Sequence, residues 1–244
     1  MIPRLSRSVA RELGYYVYLY VHPETNEVLY VGKGKGSRVL SHVRGSHNAR
    51  HAKALRALKR KGLLPRIDIL VHGLRSEETA NAVEAAVIDA IGLDQLTNAV
   101  RGWQSRRRGR MSLDHCIGLY GHKPARIREP SILIRINRLY RFGMTDTELY
   151  DATRAAWVVG KRRERAEYAF AIYQGVIREV YRITGWHPGG STYNARWPQG
   201  SRRPGRWEFV GVIAEDRVRK RYLNKSVVDE FQEGCQNPIM YANC

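Results

Sequence analysis

The stretch YYVYLYVHPETNEVLYVGKGKGSRVLSHV, Tyr15 to Val43, decides the fold. Its first seven residues are Tyr and Val with one Leu, types that suit a pleated, half-buried surface better than a helix. Residues 22–27, HPETNE, are turn chemistry, since Pro presets φ and Asn tolerates the left-handed region. A second strand is expected over residues 28–31, completing a hairpin. It opens into Gly32, Gly34 and Gly36, expected to let the chain turn sharply into a helix. From Ser37 the spacing becomes helical, and Arg38 and His42 fall four apart on one face.

Outward from that hairpin, a basic helix is expected over residues 48–60, with Ala54, Leu55 and Leu58 among Lys53, Arg56, Lys59 and Arg60. Gly62 stops it. Residues 66–72, RIDILVH, form an apolar strand. Ser76 is a good N-cap for a helix that carries Glu77 and Glu78 in its first turn and runs to Ile91 before Gly92. Residues 93–102, with Asn98, read as a closing strand or a loop. After Trp103 comes QSRRRGR, a basic arm. The expected organisation is an N-terminal arm over 1–14, a first domain over 15–103, a basic linker over 104–128 and a β-rich domain over 129–244. The fold class is α+β.

Forty-two Lys and Arg against 23 Asp and Glu give a formal net charge of +19. A charge of that size calls for a polyanionic partner, and nucleic acid is the first candidate. The arginines are spread through globular sequence, so the pattern of a membrane-bound basic segment is missing. Cys116, Cys235 and Cys244 are an odd number without a CxxC pair, which points away from a disulfide framework and a zinc cluster and towards a reducing, intracellular setting. No run approaches the ~20 apolar residues that span a bilayer, and no long apolar stretch follows the first charges as in a signal peptide.

Tyr16-Val17-Tyr18, Tyr30-Val31-Gly32, Arg38, His42, Glu84 and Asn98 resemble, in order, type and spacing, the GIY-YIG endonuclease family. The resemblance covers about residues 14–102 and is strongest to the branch whose second motif continues as YVGKGKG followed by R-x-x-x-H. Here YVY stands for GIY and YVG for YIG. It implies a phosphodiester hydrolase acting on DNA, double-stranded most simply, with Mg²⁺ or Mn²⁺ as cofactor. Hydrolysis needs a nucleophilic water, a proton acceptor, and charge on the crowded phosphorus and the leaving oxygen. Glu84, a lone carboxylate in the apolar run VEAAV, is the expected metal ligand. Arg38 can fork onto two phosphate oxygens. Tyr30 is the expected general base assisted by His42, Tyr18 converges on it from the neighbouring strand, and Asn98 braces the site. A further polar group falls to one of His47, Asn48 and His51. One such site per chain suggests a homodimer for cutting both strands. Lys33, Lys35, Arg106, Arg107 and Arg108 are expected DNA contacts.

In the second half, strands are expected over 131–138, 169–173, 176–183 and 206–213, with a helix capped by Thr145 and Glu148 and a strand or helix over 222–231. The rhythm is similar to small PUA-like and EVE-like β-barrels that hold nucleotides or modified bases. Trp157, Trp186, Trp197 and Trp207 lie among Arg196, Arg202, Arg203 and Arg206, and aromatics beside arginines suit base stacking with phosphate contact. Trp186 and Trp197, in a Gly-, Pro- and Arg-rich loop, together with Arg202 and Arg203, are the expected nucleic-acid contacts here. The domain is expected to supply sequence or modified-base specificity. Restriction or phage defence is the expected setting, with branched-DNA repair and non-catalytic binding as alternatives.

Overall fold

The computed structural model describes residues 5–44, 48–121, 123–197, 201–231 and 236–244; the side chains of 42–44 and 106–107 lie outside the description. The chain divides into two compact units, Met1–Arg110 and Met111–Cys244.

In the first unit a short helix, α1 (Arg7–Leu13), precedes β1 (Tyr15–Val21) and β2 (Val28–Lys35). Then follow α2 (Arg38–Arg44), α3 (Ala49–Arg60), β3 (Arg66–Leu74), α4 (Glu77–Ile91) and α5 (Ser105–Arg108). The sheet is antiparallel, in the order β2-β1-β3. Strand alternation gives it two different faces. Tyr16, Tyr18 and Tyr20 are fully buried on one, with Val39 and Leu40 of α2 over them. Val17 and Val31 on the other pack with Ile88, Val83 and Val87 of α4. The caps expected at Asn48 and Ser76 form: Asn48 Oδ1 accepts from the Arg50 and His51 amides and Ser76 Oγ from that of Thr79.

One detail differs from expectation. β2 does not end before the glycines but runs through Gly32 and Gly34, which face Tyr18 and Tyr16 across the ladder. A Cβ on Gly32 would stand 2.6 Å from Tyr18 Cζ and 2.7 Å from Tyr30 Cε1, and one on Gly34 2.9 Å from Tyr16 Cζ. The glycines therefore make room for tyrosine rings, and only Gly36, at φ 61°, turns the chain into α2. Residues 93–102, expected as a closing strand or a loop, are a loop that closes the edge of β2. Thr97 N donates to Leu29 O at 2.7 Å, and the Asn98 amide pairs with both polar groups of Val31, at 3.1 and 2.8 Å.

The second unit contains α6 (Leu113–Tyr120), β4 (Ser131–Arg135), α7 (Asp146–Arg154), β5 (Tyr168–Tyr173), β6 (Val176–Pro188), β7 (Trp207–Ile213), α8 (Asp216–Tyr222) and β8 (Ile239–Ala242). The stretch 104–128, expected as a linker, thus carries α5 and α6. The sheet order is β7-β6-β5-β4-β8, with β4 and β5 parallel and every other pair antiparallel. β7 and β8 are opposite edges, where the PUA-like reading expected a small barrel. Both faces of the sheet are buried: Leu133, Phe170 and Val180 pack with Tyr222 on one, and Ile134, Ala171 and Tyr181 with Phe209 on the other. That accounts for the unbroken apolar run YAFAIY of β5. Gln174 and Gly175, both at positive φ, make the tight turn into β6. The Thr145–Glu148 capping box forms at the start of α7. In place of the strand or helix expected over 222–231, α8 ends at Tyr222 and one short 3₁₀ turn follows.

Candidate active site

The first unit gathers its polar side chains at the free edge of β2. Residues 29, 31 and 33 turn their main-chain groups away from β1, and each meets an acceptor or donor from outside the sheet. Leu29 and Val31 meet Thr97 and Asn98, and the Lys33 amide meets the Glu84 carboxylate. Asn98 is buried and wholly engaged with Val31, so its part is to hold the strand that carries Tyr30.

Tyr30 lies among aromatic rings. Its centroid is 5.7 Å from Tyr20, 6.3 Å from Tyr18 and 4.5 Å from His51. Tyr16 and Tyr20 spend their hydroxyls on the α2 entry: Tyr16 donates to Gly36 O and accepts from Val39 N, and Tyr20 donates to Val39 O. The Tyr18 hydroxyl is buried beside the rings of Tyr20 and Tyr30. Burial, and then the neighbouring Tyr20 and Tyr30, push its pKa far above that of an ordinary phenol. Tyr18 is thus a protonated, buried neighbour of Tyr30.

The electrostatics tie Tyr30, Glu84 and Arg38 together. Burial raises the Tyr30 phenol, the Glu84 carboxylate raises it further, and Arg38 pulls it down without cancelling the rise. Burial also raises the Glu84 carboxyl, against the lowering effects of the Lys33 ammonium, the Lys33 amide and Arg38. Arg38, the first residue of α2, is exposed to solvent and available to a phosphate. Glu84 sits mid-way along α4, on the side that packs against β2.

Of the three candidates for the further polar group, the structure brings His51 to the site. It is 1% exposed, stacks on Tyr20 at 5.5 Å and against Tyr30, and places Nδ1 3.0 Å from Thr97 Oγ1. Thr97 Oγ1 donates its own hydrogen to Leu29 O at 2.7 Å. It therefore accepts from His51, so Nδ1 carries a hydrogen. Asn48 is used as the α3 cap and as a donor to Thr97 O, His47 lies outside the described residues, and so does the side chain of His42. Sequence reasoning could not single out His51 because its contacts with Tyr30 and Thr97 come from distant parts of the chain.

The expected DNA contacts divide. Lys33 is ion-paired with Glu77, Lys35 lies 4.7 Å from the Tyr15 ring on an exposed strand end, and Arg108 is exposed on α5. The side chains of Arg106 and Arg107 lie outside the description. In the second unit Trp186, expected as an exposed stacking surface, packs edge-on to Phe209 at 5.7 Å in the core, because its strand, β6, extends beyond residue 183. Trp197 is half-buried, with Arg203 4.1 Å and Arg196 5.3 Å from its ring. Arg202 is exposed.

Among the described residues no three His, Cys, Asp or Glu groups cluster as a metal cage, and no helix is long and apolar enough to cross a membrane. No curated protein and no solved structure matches the chain. The LEM-3-like GIY-YIG domain family matches residues 24–116, from the turn before β2, through the YVG motif, Arg38, Glu84 and Asn98, into α6. The matched range includes the second strand of the hairpin with Tyr30, the helix that opens with Arg38 and the helix that presents the Glu84 carboxylate. Residues 24–116 thus carry a GIY-YIG nuclease domain, which makes the protein an endonuclease, a hydrolase of phosphodiester bonds.

Proposed function

We propose that the chain is a divalent-metal-dependent DNA endonuclease whose first unit cuts and whose second unit selects the DNA. The observation that carries this reading is the coupling of Tyr30, Arg38 and Glu84 at the edge of β2. GIY-YIG nucleases generally depend on a divalent metal. Glu84 fits that need: it is a single hard-oxygen donor whose pKa is raised by burial, against the lowering pull of Lys33 and Arg38. Mg²⁺ or Mn²⁺ held there would keep most of its ligands as water and phosphate oxygen. When bound, the ion supplies charge against the leaving oxygen.

The chain's own groups do the rest. Arg38 takes the non-bridging phosphate oxygens, where charge grows as water attacks phosphorus and the bond to the leaving sugar oxygen breaks. The Tyr30 hydroxyl, protonated near neutrality, orients that water as a hydrogen-bond acceptor. It serves as a base only where added positive charge beside Glu84 lowers it. His51 and Tyr20 hold the Tyr30 ring, and Asn98 holds its strand.

Two settings follow from the second unit's role. The LEM-3-like match favours structure-selective cutting in DNA repair. Restriction or phage defence, with sequence or modified-base reading, is favoured by the arginine and tryptophan loop around Trp197. A homodimer cutting both strands belongs to the second setting. The deciding experiment incubates the protein with plasmid, modified phage DNA and branched junctions, with Mg²⁺ or EDTA, beside Glu84→Ala and Arg38→Ala. Discrete plasmid bands mark restriction, and cleavage confined to junctions marks repair. Undiminished cleavage by both variants would defeat the proposed site.

A further inference from the structure

Three charged side chains are buried beneath the loop that follows β6. Asp151 is 4% exposed, Arg154 3% and Glu208 0%. Arg154 Nε donates to Asp151 Oδ1 at 2.9 Å, its Nη1 to Thr192 Oγ1 at 2.7 Å, and its Nη2 to Tyr193 O. Glu208 accepts from the Gly190 and Thr192 amides, at 2.8 and 2.7 Å, and from the Thr192 hydroxyl at 2.8 Å. Asp151 Oδ2 accepts from Ala195 N at 2.9 Å, and Asn194 Nδ2 donates to Asp151 O at 3.3 Å. The main chain is thereby held at 190, 192, 193 and 195, and the Asn194 side chain holds the residue between.

Burying three charges adds little stability over an apolar core of the same volume, so a network of this kind is kept for the conformation it imposes. Here that conformation presents one side chain. Tyr193 is 76% exposed while its neighbours on either side are tied down. An aromatic ring on a fixed main chain loses little freedom when it binds a flat partner. The surroundings are cationic. Arg203 N donates to Gly189 O, the backbone of residues 201–202 packs against Gly190, and Arg202 is exposed there. The Trp197 ring, by contrast, already has guanidinium groups near it.

We propose that Tyr193 is a stacking platform for an unpaired or extruded nucleobase, with Arg202 taking an adjacent phosphate. The proposal rests on the reading of the second unit as the DNA-selecting part and names the feature it selects. A single base exposed by a bulge, a junction or extrusion offers the ring a π-face that a paired helix does not.

The test measures binding of the full chain in EDTA, by fluorescence anisotropy, to a labelled 20-mer duplex. One version carries a single bulged base and the other an abasic nucleotide at the bulge. Wild type is expected to favour the bulged base by about 5- to 100-fold. Tyr193→Ala removes that preference while its abasic-duplex affinity and melting temperature stay as in wild type, and Tyr193→Phe retains the preference. Equal wild-type affinity for the two duplexes, or a preference that survives Tyr193→Ala, overturns the proposal and leaves DNA selection by the second unit standing. Failure of wild type to bind any duplex overturns both. Because nothing is cleaved in EDTA, the outcome does not depend on the cutting step.

Discussion

The polar groups at the edge of β2 and those beneath the Tyr193 loop are built on opposite terms. In the second unit each buried charge meets a partner. Burial pushes the Glu208 carboxyl up, yet amide and hydroxyl donors from Gly190 and Thr192, with Arg154, hold it below the ordinary carboxylate range. In the first unit burial wins: Tyr18, Tyr30 and Glu84 all sit above their ordinary values. A network complete in itself fixes a shape. A site whose carboxylate and phenol are raised by burial is, in the proposed reading, where a metal ion would act beside Arg38.

The comparison can be broken first at Arg154. Arg154→Ala leaves Asp151 and Glu208 without their shared cation and is expected to destabilise the protein by about 3–5 kcal/mol in urea unfolding. Glu208 also sets a pH dependence. Its folded pKa is lowered, so its contribution is present above the unfolded carboxylate value and is lost as pH falls through the lowered one.

Next comes Glu84. Glu84→Gln is expected to lower the cleavage rate by on the order of 10²–10³-fold, measured on labelled duplex under single-turnover conditions. The same change is expected to raise the melting temperature at pH 7 in EDTA. The sign follows from the direction of the shift. A raised folded pKa means that the fold disfavours the ionised carboxylate, and this penalty is present above that pKa and absent at pH values where Glu84 is protonated in both states. Wild type and Glu84→Gln should therefore converge in acid. A variant less stable than wild type at pH 7 would show that Glu84 is structurally satisfied, like Glu208.

Smaller effects sharpen the same contrast. Gly32→Ala forces a methyl against Tyr18 and Tyr30 and should cost ~1–3 kcal/mol with loss of cleavage. Asn98→Ala strips both main-chain partners from Val31 and should cost ~1–3 kcal/mol by thermal unfolding. Lys35→Ala, on an exposed strand end, should change stability by less than ~1 kcal/mol while flattening the salt dependence of DNA binding.

Much of the first unit was legible in local chemistry. The Tyr and Val strands, the Asn48 and Ser76 caps and the break at Gly92 all depend on residues close in sequence. The glycines were misread because their reason is across the ladder: Gly32 and Gly34 are small for the sake of Tyr18 and Tyr16, a relation visible only once the register is fixed. His51 is hidden in the same way, since its partners Thr97 and Tyr30 are 46 and 21 positions away. In the second unit, β5 and the Gln174-Gly175 turn could be read directly. The network under Tyr193 could not, because Glu208 and Thr192 come together only through the pairing of β6 with β7. The i,i+3 spacing of Asp151 and Arg154 was its one local trace.

Asn98 has a consequence beyond the site it braces. β2 and β3 are the outer strands of the first unit's sheet, and an outer strand with open amides invites a strand from another molecule. Along β2 the outward groups of Leu29, Val31 and Lys33 are already taken by Thr97, Asn98 and Glu84. One amide side chain thus imitates a neighbouring strand and ends the sheet there. Growth of the sheet between copies would have to proceed along β3, on the border away from the tyrosines, leaving the cutting edge clear for DNA.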